Sequence, residues 1–158
     1  MSIQLGMVLL AEELSPNELQ QFDRELEKAG FSLLDDRTSQ LINQIKSIII
    51  EDIHYAKEPS LQNLSIVLSE KLHYDYSYLS RLFSSVEGRT IEKFVIAQKI
   101  EKVKELLSYD QLTLEEMAFQ LHYSSAAHLS SQFKKVTGMS PSRFRKEHME
   151  NRKSLDAL

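Results

Sequence analysis

Cysteine is absent from this 158-residue sequence, and glycine and proline are scarce, at four and three residues. The first absence excludes disulfides, thiolate zinc sites and cysteine nucleophiles, and fits a reducing cytoplasm. The second leaves little room for long irregular loops or a glycine-rich phosphate cradle. No apolar run reaches about 18 residues, and the patch at residues 7–11 lacks a signal peptide's basic flank, so neither a membrane span nor a leader is expected. The five histidines, His54, His73, His122, His128 and His148, form no His-Glu-x-x-His pair, and no glycine-flanked serine marks a nucleophile elbow. An enzyme is therefore not expected, nor a cofactor or metal. His73 and His122 read as turn residues rather than ligands.

What is present suits a mainly helical chain: 42% hydrophobic and 27% charged residues, enough for one good core or two small ones joined by a helix. The net charge of −4 conceals a gradient. Residues 1–37 hold three basic and eight acidic side chains, residues 38–112 nine and ten, and residues 113–158 seven and five. The balance thus runs from −5 through −1 to +2. Lys134, Lys135, Arg143, Arg145, Lys146, Arg152 and Lys153 are interrupted only by Glu147 and Glu150. Phosphate binding requires such a local basic surface, because counterion release depends on charges near the duplex rather than on the total. A solvated helical face has the same composition.

Residues 1–37 read as a small β-α-β segment. Residues 3–11 are an extended candidate. Ser15-Pro16-Asn17-Glu18 then supplies a hydroxyl N-cap, proline at the first helical position and a glutamate completing a capping box. Leu19, Phe22, Leu26 and Ala29 recur at helical spacing, and Gly30 stands where a left-handed cap belongs. Residues 31–34 read as the second strand. A lone β-α-β unit cannot close its sheet edges, so pairing with another copy, or membership of a larger domain, is expected. From Thr38 the pattern is helical, and Leu41, Ile42, Ile45, Ile49 and Ile53 form a core-facing stripe on a connecting helix over 38–57. Pro59-Ser60 breaks it, and a further helix is expected near Leu61.

Self-comparison finds a repeat. Leu79-Ser80-Arg81-Leu82-Phe83, Val86, Gly88 and Phe94 recur as Leu129-Ser130-Ser131-Gln132-Phe133, Val136, Gly138 and Phe144. Upstream, Leu72-His73-Tyr74 matches Leu121-His122-Tyr123, and Leu61 and Leu64 match Leu114 and Met117. Each copy reads as helix, tight turn, second helix and a terminating glycine. Thr113 to Glu116 is a second capping box, Ser124 or Ser125 caps the next helix, and Ser140-Pro141 opens a final one. Between the copies, residues 91–107 form an uninterrupted helix. Two short helices joined by a tight turn make a helix-turn-helix, whose second helix lies in a DNA major groove. Paired helical hairpins also serve as plain interaction modules, so both readings stand at this point.

The segment from Leu114 to Arg145, with Ala118, His122-Tyr123-Ser124-Ser125, Phe133-Lys134-Lys135-Val136-Thr137-Gly138-Met139-Ser140-Pro141 and Phe144, resembles the second helix-turn-helix of AraC/XylS-type regulators. With the first copy and the strut, the resemblance covers residues 58–148. It implies a mainly α fold in which two helix-turn-helix subdomains, about 60–88 and 113–137, are joined by a long linker helix over 91–107. A final helix over 141–148 and a polar tail over 149–158 follow. It further implies a sequence-specific transcriptional regulator on double-stranded DNA, its two recognition helices in successive major grooves about 34 Å apart. The sequence departs from the family at His73 and His122, which replace a turn glycine; histidine tolerates left-handed backbone better than most residues. About four extra residues stand around 69–72, and Ser65 takes the alanine position. The first 57 residues do not resemble the sugar-binding cupin domain of many members, so no sugar ligand is inferred.

Base-reading positions in the first unit are Ser77, Tyr78, Ser80 and Arg81, with Arg81 suited to guanine O6 and N7, or alternatively to a phosphate or surface ion pair. In the second unit they are Ala126, Ala127, His128, Ser130 and Ser131, small residues suited to thymine methyls or water-bridged readout. Thr113, Lys134, Lys135, Ser140, Arg143 and Arg145 are the phosphate-contact candidates. The leading segment is a candidate for homodimerisation, RNA polymerase contact or effector sensing. The expected location is the cytoplasm, on the nucleoid. The rival reading is a protein-interaction or dimerisation module whose degenerate first unit no longer reads DNA.

Overall fold

The computed structural model describes residues 2–4, 7–9, 14–31, 33, 36–56, 63–109 and 111–156. The chain divides into two compact units, Met1–Ser39 and Gln40–Leu158.

In the first unit, β1 (Ser2–Gln4) and β2 (Met7–Leu9) pair antiparallel, Ile3 opposite Val8, and α1 spans Pro16–Lys28. The α1 start follows its sequence signal. Ser15 Oγ accepts the Glu18 amide at 3.4 Å, and the Glu18 carboxylate accepts the Ser15 amide at 2.9 Å. Gly30, at φ 82°, closes the helix with bonds from Phe31 N to Leu26 O (2.8 Å) and from Gly30 N to Glu27 O (3.0 Å). The expected β-α-β order is not supported. Phe31 and Leu33 lie outside any strand, and the Leu33 amide donates to the Asp23 carboxylate at 3.2 Å. A strand partner two residues away needs far less loop closure than one beyond a helix, so the pairing stays local.

The second unit begins within α2 (Asp36–Ile50), which continues into a π-helical turn, Glu51–Tyr55, and is followed by α3 (Leu64–Leu72), α4 (Tyr76–Glu87), α5 (Ile91–Tyr109), α6 (Leu114–Gln120), α7 (Ala126–Thr137) and α8 (Pro141–Asp156). The expected break at Pro59-Ser60 and helix start at Leu61 lie outside the described residues; α3 itself starts after the Asn63 cap. Backbone helix in α8 continues past the expected end near 148, where exposed pairs Arg143–Glu147 (2.8 Å) and Lys146–Glu150 (3.9 Å) stand one turn apart.

Two apolar cores share one pattern. The first gathers Leu41, Ile42, Ile45, Ile49, Leu68, Leu79, Phe83, Ile91 and Phe94. The second gathers Ile100, Val103, Leu107, Met117, Ala118, Leu121, Leu129 and Phe133. In each, a support helix offers a buried stripe at i, i+3, i+7: Ile42, Ile45 and Ile49 on α2, and Ile100, Val103 and Leu107 on α5. Each core is closed by an edge-to-face phenylalanine pair, Phe83–Phe94 and Phe133–Phe144, both with centroids 5.6 Å apart. Helix α5 therefore belongs to both cores, its start completing the first and its second half supporting the second. Ile53 of the π-turn packs against both.

The turn geometry corrects the repeat's register. His73 (φ 58°) and His122 (φ 56°) are the non-glycine residues in left-handed conformation among the described ones. Counted back five residues from each, the fully buried positions are Leu68 and Met117. Leu68, not Leu64, is thus the counterpart of Met117, and Ser69, not Ser65, that of Ala118. No extra helical turn exists at 69–72. The difference lies in the turn, where Asp75 holds the N-cap position of α4, without a side-chain bond, two residues after His73, and Ser125 caps α7 three residues after His122.

Candidate nucleic-acid interface

Helices α4 and α7 owe their roll to the same buried pair, Leu79 with Phe83 and Leu129 with Phe133, all fully buried. That anchoring turns Ser77, Tyr78 and Arg81 of α4, and Ala127, His128 and Ser131 of α7, to solvent. Ser80, Ala126 and Ser130 are half-buried at the edge of that face. All nine expected base-contact positions thus lie at the N-terminal half of the second helix of a unit, in two equivalent sets. The Arg81 Nε donates back to the Ser77 carbonyl at 3.3 Å, which holds the stem along α4.

At the N-terminal end of α4 and of α7 an exposed ring rests on the tyrosine of the preceding turn. Tyr78 stacks on Tyr74 with centroids 5.2 Å apart, and His128 meets Tyr123 edge-on at 5.3 Å. His128 Nδ1 lies 3.0 Å from Ser124 Oγ, and its backbone amide donates to the Ser125 cap at 3.1 Å. In the sequence Tyr74 and Tyr123 mark the repeat, and their ring partners, four and five residues on, are signalled only by aromatic spacing.

The phosphate-contact candidates fall into two groups. Lys134 and Lys135 are exposed in the last turn of α7, and Arg143 is exposed but paired with Glu147 at 2.8 Å. Thr113 and Ser140 are helix caps: Thr113 Oγ1 accepts the Glu116 amide at 3.2 Å while its own amide donates to Glu116 at 2.7 Å, and Ser140 Oγ accepts the Arg143 amide at 3.3 Å. Arg145 is half-buried, with Nη2 donating to the Leu112 carbonyl at 3.0 Å.

Beside α7 sits a polar cluster with no signal in the sequence. The Tyr123 hydroxyl donates to Gln132 Oε1 at 2.6 Å, and the Lys99 ammonium stands over the Tyr123 ring at 5.2 Å. Burial pushes the Tyr123 hydroxyl up to about 12. Burial also pulls the Lys99 ammonium below its ordinary value, an effect that Asp52 opposes. In the first unit, burial and then the Glu92 carboxylate, which accepts from the Tyr76 hydroxyl at 2.7 Å, raise the Tyr76 hydroxyl. No group of histidines and carboxylates among the described residues could hold a metal, and no described helix is long and apolar enough to cross a membrane.

A family model described as a helix-turn-helix domain matches residues 68–147, about half the chain. The Msm operon regulatory protein of Streptococcus mutans is 30% identical over 114 residues, covering 72% of this chain and 39% of its own length. The chain therefore spans well under half of that regulator. Among solved structures, the C-terminal domain of AraT, a response regulator from Geobacillus stearothermophilus, is 25% identical with a TM-score of 0.60, covering 71% of this chain and 88% of that one. An AraC-type regulator from Chromobacterium violaceum shares the fold at a TM-score of 0.61 and 17% identity, over 72% and 96% of the two chains. The DNA-binding domain of AdpA, solved with a target DNA, shares it at 0.59 and 21%, over 70% and 95%. The chain belongs to the AraC-type helix-turn-helix family of DNA-binding transcriptional regulators.

Proposed function

We propose that the chain regulates transcription by binding double-stranded DNA sequence-specifically, with α4 and α7 in successive major grooves about 34 Å apart on one face of the duplex. The observation that carries this reading is the duplicated face: two equivalent, outward-facing recognition helices held by two cores that share α5. The AdpA domain of the same fold was solved with DNA, which supports a duplex as the ligand. Ser77, Tyr78, Ser80 and Arg81 read one half-site, and Ala126, Ala127, His128, Ser130 and Ser131 the other. Lys134, Lys135 and Arg143 contact phosphates, and the caps at Thr113 and Ser140 lie along the same path. Arg145 joins them only by releasing the Leu112 carbonyl. The chain acts in the cytoplasm on the nucleoid and catalyses no reaction. Residues 1–37 form a segment of their own, with a second copy, RNA polymerase or a small effector as its partner. A purely protein-binding role is disfavoured, because it gives no reason for both units to keep the same exposed helix face.

Fluorescence anisotropy against fragments of the native genome, at two salt concentrations, tests the proposal. Selective binding with a steep salt dependence is expected, and the absence of binding even at low salt refutes it. Lys134→Ala lowers the slope of log affinity against log salt by about one while leaving sequence preference intact.

A further inference from the structure

We propose that Tyr123 is a positioning residue that sets the reading face of α7, and that it is held from the π-helical turn after α2 by way of Lys99. The inference deepens the DNA-binding reading and rests on it.

Three observations converge on Tyr123. Its hydroxyl bonds Gln132 on α7 at 2.6 Å, and its ring meets the edge of His128, a base-contact position, at 5.3 Å. Above the same ring stands the Lys99 ammonium of α5, at 5.2 Å. A cation at that distance over an aromatic face is attractive, more so where water is partly excluded. Lys99 is half-buried, and Asp52 of the π-turn favours its charged form. That turn is itself fastened to α5. His54 Nε2 lies 3.0 Å from Gln98 Oε1, the Lys102 ammonium donates to the His54 carbonyl at 3.5 Å, and Ile53 enters both cores. The π-turn is thus tied to α5 at Gln98 and Lys102, and Lys99, next to Gln98 on α5, stands over the Tyr123 ring.

The first unit lacks this arrangement. Matching the buried stripes of α2 and α5 puts Leu41 where the second unit has Lys99, and matching α4 to α7 puts Leu82 where it has Gln132. A lysine over the ring and a glutamine on its hydroxyl are therefore particular to the second unit, since the first has Leu41 and Leu82 at those positions. Loss of these contacts therefore acts on the half-site read by α7, since none of them is made by α4.

The test uses the full chain and DNA libraries randomised in one half-site at a time. Tyr123→Phe, Lys99→Met and Asp52→Asn are compared with wild type. Tyr123→Phe keeps the ring, and Lys99→Met keeps an unbranched apolar stem. The expected result is a loss of about two- to tenfold in discrimination at the half-site read by α7, the scale of one net hydrogen bond. Discrimination at the other half-site stays constant. Equal losses at both half-sites, or none at either, overturn the proposal. A second readout needs no DNA: Lys99→Met shifts the His128 ring and Gln132 side-chain amide resonances of the free protein, and unchanged resonances overturn it as well. If wild type itself binds no DNA while those resonances shift, the DNA-binding reading fails and the positioning contact stands.

Discussion

A histidine sits at the left-handed corner of both turns, at φ 58° and φ 56°. Side chains in that region are strained by about 1–3 kcal/mol, and glycine is not, although glycine also gives up more chain entropy on folding. His122 is exposed, so its ring contributes little packing to weigh against this. His122→Gly should therefore be at least as stable as wild type in urea denaturation, and His122→Val about 1–3 kcal/mol less stable. A glycine variant that unfolds at clearly lower urea would reveal a contact of the ring that geometry does not account for. Arg81 carries the other prediction at this scale. Arg81→Ala should weaken specific binding by about 1–3 kcal/mol and blur preference at one base pair; an equal loss on every DNA sequence would assign the guanidinium to a phosphate. The exposure of Ser77, Tyr78 and Arg81 was legible in the sequence because α4 exposes what its buried leucine and phenylalanine do not claim. The partner of Arg145 was not legible, since a side chain that returns to a backbone carbonyl 33 residues away leaves no periodic trace.

Helices in this chain are announced by their ends more reliably than by their stripes. The capping boxes at Ser15–Glu18 and Thr113–Glu116 put α1 and α6 where the sequence expects them. The first helix of the first unit was misaligned by one turn for a simple reason. Leucines at 61, 64, 68 and 72 repeat at helical spacing, and sliding such a ladder by four residues leaves the pattern almost unchanged. Only the left-handed histidine fixes its phase. The β-α-β reading failed differently: alternation marks extended chain but says nothing about which strand lies beside it. Between α4 and α5 the Tyr76–Glu92 bond of 2.7 Å makes a further prediction. The Tyr76 hydroxyl, then backbone and Thr90 hydrogen bonds, hold the Glu92 carboxyl below its ordinary value of 4.5, against burial. A lowered carboxyl stabilises the fold above that ordinary value, and the contribution disappears as acid titrates the group in the folded protein. Tyr76→Phe should accordingly flatten the fall in stability from neutral pH into this acid range. Unfolding midpoints measured across that range check it, and an unchanged slope would exclude the bond as a source of pH dependence.

At the scale of the second unit, two small cores behave as one because α5 is common to both and Ile53 touches both. Ile53→Ala removes a half-buried side chain, so a loss of about 1–2 kcal/mol is expected, below the range for a fully buried isoleucine. The transition should remain single, because α5 still joins the cores; two separate transitions by calorimetry would contradict that. The repeat made this doubling readable from the sequence, yet the clamp from the π-turn was invisible, since its contacts link residues 44 and 48 apart.

Helix α5 runs 19 residues without a break, about 28 Å of rod. A rod anchored in a core at each end neither stretches nor hinges to suit a target, so any misfit between its spacing and the groove repeat must be taken up by the nucleic acid. Base pairs that no side chain reaches, midway between the half-sites, then matter through how readily they curve, and flexible pyrimidine–purine steps there favour binding over stiff A-tracts.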